Sequence, residues 1–371
     1  MSHHSASQVP RIRINGREYG PGQPCYVVAE MSANHRQDFD EAVRIIRAIR
    51  ETGADAVKIQ TYTADTLTLK SASRYFRIAG GTLWDGKTLH DLYQEAYLPW
   101  DWTPKLQAVA QEEGLDFFST PFDFTAVDFL EKLKVPVHKV ASFELVDIPL
   151  IQRIAATGKP IIASTGMATV AEIGEAVRAA RQAGARQLAL LKCTSAYPAQ
   201  PGQMNLRTMV DMATRFQVPV GLSDHTLGIA VPVAAVALGA CIVEKHFTLS
   251  RSLPGPDSAF SLEPLEFKAM VEAIRVAEQA LGKADYTISA REAKSRVFRR
   301  SLFVSQPVRK GEKFTAANVQ SVRPAHGLHP RYYRVVLGKR AARNIPAATP
   351  LSWKLVAGGM PKAAARAKER A

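Results

Sequence analysis

Gly221-Leu-Ser-Asp-His225 and Glu244-Lys-His-Phe-Thr248 decide how this chain of 371 residues is read. Each closes an apolar run. Residues 219–222 read as a buried strand, and so do residues 240–243. Residues 228–239, between them, are apolar and Ala-rich, as a helix would be. A strand-helix-strand unit places its two strands parallel and adjacent. His225 and His246 then hold equivalent places, at or just past the carboxyl ends of neighbouring strands. Two imidazoles so placed can bind one divalent metal. Ser223, Asp224, Glu244 and Lys245 crowd the same edge. A lone His there would read as a helix cap or a satisfied core side chain. Two in matching positions, each with an acidic neighbour, favour a shared site.

Working outward, the same alternation fills most of the chain. Asn15-Gly16 is a hairpin signal. Strands are expected at 26–30, 56–60, 116–120, 137–141, 160–165 and 187–193, ahead of the two at the opening motifs. Helices are expected at 38–51, 103–113, 125–133, 149–157, 170–183 and 263–281, with a looser segment at 204–216. Residues 62–99 form an insertion carrying Trp84, long enough to suggest a function. Eight strand-helix units in some 260 residues are the signature of an α/β (β/α)8 TIM barrel. A doubly wound sheet is the alternative, but no Gly-rich phosphate fingerprint follows any strand.

In a barrel, residues at the carboxyl strand ends converge on one mouth. That set is Glu30, Asn34, His35, Lys58, Gln60, Thr120, Lys139, Ser142, Glu144, Ser164, Thr165, Ser195, Tyr197, Ser223, His225, Glu244 and His246. Lys58 and Lys139 each interrupt a buried strand, and an inward lysine needs an anion. Two such lysines among Ser and Thr hydroxyls make a phosphate or carboxylate pocket. The bland alternative places them at solvated strand rims.

The net charge of +14 suggests nucleic acid until it is divided. Residues 286–371 hold 19 Lys and Arg against three acids, so the rest of the chain is slightly acidic. The basic part lacks an RNP, zinc-finger or basic-helix signature. It reads as a surface facing an acidic region or anionic substrates. Three cysteines, Cys25, Cys193 and Cys241, without motif spacing fit buried thiols in a reducing cytoplasm. No run reaches the ~18 apolar residues of a membrane helix, and the N-terminus lacks a signal-peptide core. The expected organisation is a catalytic barrel with an N-terminal hairpin at 1–285, a linker at 286–299, a small mainly-β domain at 300–357 and a basic disordered tail at 358–371.

The motifs together resemble the sialic acid synthase family. The resemblance runs from Ala29-Glu-Met-Ser-Ala-Asn-His35 to about Val356. It takes in Ala56-Val-Lys-Ile-Gln-Thr61, Ser119-Thr-Pro-Phe122, Ser164-Thr-Gly-Met167, Cys193 to Pro198, both opening motifs and Gly255-Pro-Asp257. It implies a barrel that condenses phosphoenolpyruvate with an N-acetylated amino sugar. It also implies a C-terminal antifreeze-like (SAF) domain that closes the partner's site in a domain-swapped homodimer. Gly81-Thr-Leu-Trp-Asp-Gly86, Leu89 to Trp102, Lys139 to Asp147 and Asp257 to Glu263 most resemble the pseudaminic acid synthases. Neuraminate and legionaminate synthases typically carry Gly-Ser-Gly-Glu where this chain has Ala141-Ser-Phe-Glu144. The implied sugar is 2,4-diacetamido-2,4,6-trideoxy-L-altrose, whose methyl group would suit Phe143 or Phe260.

By the same matching, Lys58, Thr120, Lys139, Ser142, Ser164, Ser195 and Ser223 would hold phosphoenolpyruvate. Glu30, Gln60, Tyr197 and Asp257 would face the sugar, and Arg323 would reach in from the partner. Mn²⁺ or Mg²⁺ would sit on His225 and His246. Glu30 or Glu244 would transfer the proton, and the sequence does not choose. Glu244 could instead simply pair with Lys245 or Lys58. The competing functions are the same reaction on a neuraminate or legionaminate precursor, a non-catalytic sugar-binding protein, and a nucleic-acid binder.

Overall fold

The computed structural model describes residues 11–79 and 81–360, and the chain divides into two compact units between Gly282 and Lys283. In the first unit, β1 (Ile12–Ile14) and β2 (Arg17–Tyr19) form the expected hairpin across Asn15-Gly16. Eight parallel strands follow. They are β3 (Tyr26–Glu30), β4 (Ala56–Thr61), β5 (Asp116–Pro121), β6 (His138–Val140), β7 (Ile161–Ser164), β8 (Leu188–Cys193), β9 (Val220–Asp224) and β10 (Ile242–His246). They pair in chain order, and β10 closes on β3 to complete a TIM barrel.

The helix Phe39–Glu51 shows how the outer layer forms. Asp38 caps it by accepting from the Glu41 N–H, and Ala42, Ile45, Ile46 and Ile49 make one buried stripe against the sheet. The expected loose segment contains a regular helix, Arg207–Phe216, whose Met209 and Met212 are buried. Its three Arg and Asp residues lie among the apolar ones and dilute the pattern. The expected linker also carries a helical turn, Ala290–Ser295, because Ser289 and Glu292 form a capping box.

Period-2 alternation sorts the barrel strands into two faces. Val27, Ala29, Val57, Ile59, Leu190 and Leu222 pack outward against the helices. Tyr26, Val28, Ala56, Phe118, Ile162 and Leu191 fill the interior, joined by Ile12, Ile14 and Tyr19 of the hairpin. The Tyr19 and Tyr26 ring centroids lie 4.5 Å apart, and Asn15 donates to Asp116 at the start of β5. The hairpin therefore stoppers the amino ends of the strands. Further along the same inward rows the residues change to Glu30, Lys58, Thr120, Lys139, Ser164, Ser223 and Glu244.

Gly221 lies on the inward row of β9. A Cβ there would come within 2.3 Å of the Ile242 carbonyl oxygen and 2.7 Å of Leu191 Cδ2. Neither the strand nor the packed leucine can yield cheaply. Gly221→Ala should therefore cost about 1–3 kcal/mol, read as a lowered midpoint in thermal or urea unfolding. An unchanged midpoint would contradict this packing.

The second unit holds an antiparallel sheet in the order β12 (Val319–Val322), β11 (Ser301–Val304), β13 (Thr349–Pro350). Leu302, Val304, Phe314, Val319, Val336 and Leu355 form its core. The β-type runs expected near Val308 and Ile345 meet only through an isolated bridge, since the prolines beside them break the ladder. Of the expected tail, residues 361–371 lie outside the described residues. Among the described residues no helix is long and apolar enough to cross a membrane.

Candidate active site

Lys245 pairs in register with Asp224, so the next residues, His246 and His225, face each other across β10 and the end of β9. Their ring centroids lie 5.4 Å apart. His225 Nδ1 is 3.0 Å from the Thr194 carbonyl and must donate to it, which leaves Nε2 unprotonated in the neutral ring. His246 Nδ1 is buried without a hydrogen-bond partner. Burial, with His225, Lys58, Lys245 and Lys139 nearby, holds the His246 pKa well below its ordinary value. A neutral ring with an orphaned nitrogen, beside one oriented by a carbonyl, fits two ligands of a divalent ion. Among the described residues no group of three or more His, Cys, Asp and Glu could hold a metal. The protein would therefore contribute two donors and leave other positions open.

Below the imidazoles, four charged side chains share the barrel floor. Glu30 and Lys58 are register partners on β3 and β4, and their side chains meet at 2.6 Å. Lys58 Nζ and Lys139 Nζ also lie 3.7 and 3.6 Å from Glu244 Oε1. Lys58 donates to Thr120 Oγ1 at 3.2 Å, and Lys139 donates to Ser164 Oγ at 2.7 Å. Ser223 donates to Glu244, and Gln60 donates to Glu30 and Ser32. The lysines are inward and buried, as the sequence implies, but glutamates already partner them.

The two glutamates differ. Burial raises the Glu30 pKa, against the pull of Lys58. Burial also opposes ionisation of Glu244, but Lys139 and Lys58 outweigh it and hold its pKa below the usual range. Glu244 does not pair with Lys245. That lysine faces outward and is fully buried against Asp224 and the Thr226 carbonyl.

The four floor charges, with Thr120, Ser164 and Ser223, line a cavity of about 60 Å³ together with Ser142, Tyr197, His225 and His246. Ser142 Oγ accepts from the Gly166 N–H, and a Cβ at Gly166 would meet Ser195 Oγ at 2.2 Å. The loop therefore needs glycine there. Ser195 sits behind Gly166 and lines neither this cavity nor the chamber above it. Phe260 is buried behind the rings of His225, His246 and Tyr197 and does not line the mouth, unlike Phe143. Arg323 belongs to the second unit, on the segment after β12.

A chamber of about 370 Å³ shares Gln60, Phe143, Tyr197 and His246 with the floor cavity. Asp257 lines this chamber, and its carboxylate accepts from the Ala33 N–H at 3.3 Å. Its other walls are mostly apolar, from Tyr62, Leu67, Ile78, Leu89, Leu92, Tyr93 and Phe122. Trp84 meets Tyr197 with the ring centroids 5.7 Å apart and the planes tilted, and it donates to the Pro256 carbonyl. The insertion thus builds the chamber wall. Sequence reasoning did not place Trp84, Tyr62, Tyr93 or Cys193 in the site. Cys193 Sγ lies 3.8 Å from His225 Nδ1, and its pKa falls to about 7 despite burial, because His225 faces it.

Residues 45–286 match the model of the NeuB family, and residues 299–357 match the SAF domain. The chain belongs to the NeuB family. Pseudaminic acid synthase of Helicobacter pylori is 46% identical over 331 residues, 89% of this chain and 97% of its own length. N,N'-diacetyllegionaminic acid synthase of Legionella pneumophila is 37% identical, covering 92% of this chain and 98% of its own. The solved structure of N-acetylneuraminic acid synthetase from Leptospira borgpetersenii, a complex with citrate, matches with a TM-score of 0.69 at 28% identity. It covers 79% of this chain and 96% of that one. NeuB-family membership bears out the motif resemblance, and the barrel-plus-SAF architecture agrees with it.

Proposed function

We propose that this chain is a pseudaminic acid synthase. It condenses phosphoenolpyruvate with 2,4-diacetamido-2,4,6-trideoxy-L-altrose and water, giving pseudaminate and phosphate by C–O cleavage. One arrangement carries the reading: two buried lysines in a ring of hydroxyls, at the floor of a barrel whose mouth opens into a largely apolar chamber. The sugar is supported by the higher identity to the pseudaminic acid synthase, 46%, than to the diacetyllegionaminic acid synthase, 37%.

Lys58, Lys139, Thr120, Ser142, Ser164 and Ser223 hold the phosphate and carboxylate of phosphoenolpyruvate. Gln60, Tyr197 and Asp257 orient the sugar so that its aldehyde carbon faces C3 of phosphoenolpyruvate. The new C–C bond forms there, and positive charge develops at C2. Glu244, kept ionised by both lysines, faces that charge. Water adds at C2, and Glu30, whose proton affinity burial raises, takes its proton and passes it to the former aldehyde oxygen, which becomes the new hydroxyl. The resulting tetrahedral centre expels phosphate through the C–O bond. Mn²⁺ or Mg²⁺ on His225 and His246 would polarise the aldehyde carbonyl. Ser195 acts through the Gly166 loop. The three free cysteines are buried, which supports a cytoplasmic enzyme.

Phosphate release with phosphoenolpyruvate and each of the three candidate sugars, with and without Mn²⁺, tests the reading. Preference for the neuraminate or legionaminate precursor would overturn the sugar, and no release with any would overturn the reaction.

The barrel mouth must shut out bulk water, leaving only the reacting molecule, while charge exists at C2. The basic second unit, docked across a two-fold axis, supplies a cover and Arg323. Chains carrying Arg323→Ala and His225→Ala should each be inactive alone and regain activity when mixed. A heterodimer then holds one complete site. Verified heterodimers that stay inactive would show that Arg323 does not cross between subunits.

A further inference from the structure

One carboxyl in the chamber has no part in the steps above. Glu144 lies on the turn Phe143–Val146 that follows β6. It lines the chamber but not the floor cavity. Its Oε2 is buried with no hydrogen-bond partner. Burial pushes its pKa up to about 7, with Asp147 adding to the shift and Lys139 opposing it. Tyr93, raised by burial and then by Glu144, and Tyr197, raised chiefly by its own burial, are its phenolic neighbours. A buried carboxyl oxygen without a partner is costly, and a ligand that supplies the missing hydrogen bond relieves that cost.

The chamber also fixes which part of a sugar can reach Glu144. The reacting aldehyde must lie where chamber and floor overlap, at Gln60, Tyr197 and His246. The far end of the sugar then lies among Leu67, Leu89, Leu92, Tyr93 and Phe122. These walls suit a methyl group and leave a bare hydroxyl without a partner. Resting on the reading above, we propose that Glu144 is the specificity residue for the acyl-amino group farthest from the aldehyde, hydrogen-bonding its amide while the apolar wall takes its methyl. The acid form donates to the amide carbonyl, and the ionised form accepts from the amide N–H. A hydroxyl in place of the acyl-amino group leaves the wall unfilled.

The test is steady-state kinetics of the full chain with two acceptors. One is the diacetamido sugar, and the other is its analogue with a hydroxyl in place of the remote acetamido group. Glu144→Leu should raise KM for the diacetamido sugar about tenfold or more and shrink the kcat/KM preference between the acceptors by a similar factor. KM for phosphoenolpyruvate should stay within about twofold. Glu144→Gln, which keeps a donor and an acceptor, should retain most of the preference. If the leucine variant does not fold, Glu144→Asp, one methylene shorter, carries the same expectation. Wild-type preference in a folded leucine or aspartate variant overturns the proposal. Wild-type protein that uses neither acceptor but another sugar overturns the functional reading instead.

Discussion

His225→Ala and His246→Ala should each abolish phosphate release while leaving the barrel folded. The expected fall in turnover is at least about 10³-fold, since a metal that polarises a carbonyl is worth several kcal/mol. His246 is the cleaner site. Its Nδ1 makes no hydrogen bond, so its removal breaks no network. His225 loses its bond to the Thr194 carbonyl and its contact with Cys193 Sγ. Residues at the carboxyl ends of barrel strands serve function more than stability, so unfolding midpoints should move little. Phosphate release and circular dichroism melts on the same samples check both halves. Full activity of either variant in chelator-treated buffer would remove the metal from the site.

Lys58→Met and Lys139→Met are expected to weaken transition-state binding of phosphoenolpyruvate by about 2–5 kcal/mol, because each removes a charge-assisted contact to a buried anion. The structure separates the two. Lys58 faces Glu30 at 2.6 Å and Glu244 at 3.7 Å, so its loss leaves Glu30 buried without a counter-charge. That adds roughly 3–5 kcal/mol of destabilisation. Lys139 shares Glu244 with Lys58, so its loss should affect catalysis more than folding. Glu30→Gln on top of Lys58→Met should recover the melting temperature but not the activity. A lysine variant with unchanged KM for phosphoenolpyruvate and unchanged turnover would show that the lysine does not touch substrate.

The barrel was legible because both repeats it depends on are local. Strand alternation put Lys58 and Lys139 on the inward rows, and the helix period put Ile45, Ile46 and Ile49 outside. The histidine pair followed from equal spacing to two strand ends. Partner choice was less legible. From the sequence alone Glu244 could pair with Lys58 or Lys245; strand parity decides that Lys245 faces the other way, and barrel closure adds Lys139 as a second partner. Trp84 reaches Tyr197 from an insertion with no periodic pattern. Glu144 stood among the mouth residues, but the chamber it lines is walled by Tyr62, Leu89 and Phe122, which arrive from elsewhere in the chain.

The hairpin stopper has a kinetic consequence. With β1 and β2 packed into the interior at the strands' amino ends, the barrel is a cul-de-sac rather than a tunnel. On the proposed reaction, both organic substrates and both products would share one doorway. Phosphoenolpyruvate at the floor would then have to enter before the sugar sat above it, and phosphate held by Lys58 and Lys139 would depart only after the sugar acid had cleared the chamber. Compulsory order in substrate binding and product release would thus be imposed by a plug at the opposite end of the barrel from the chemistry.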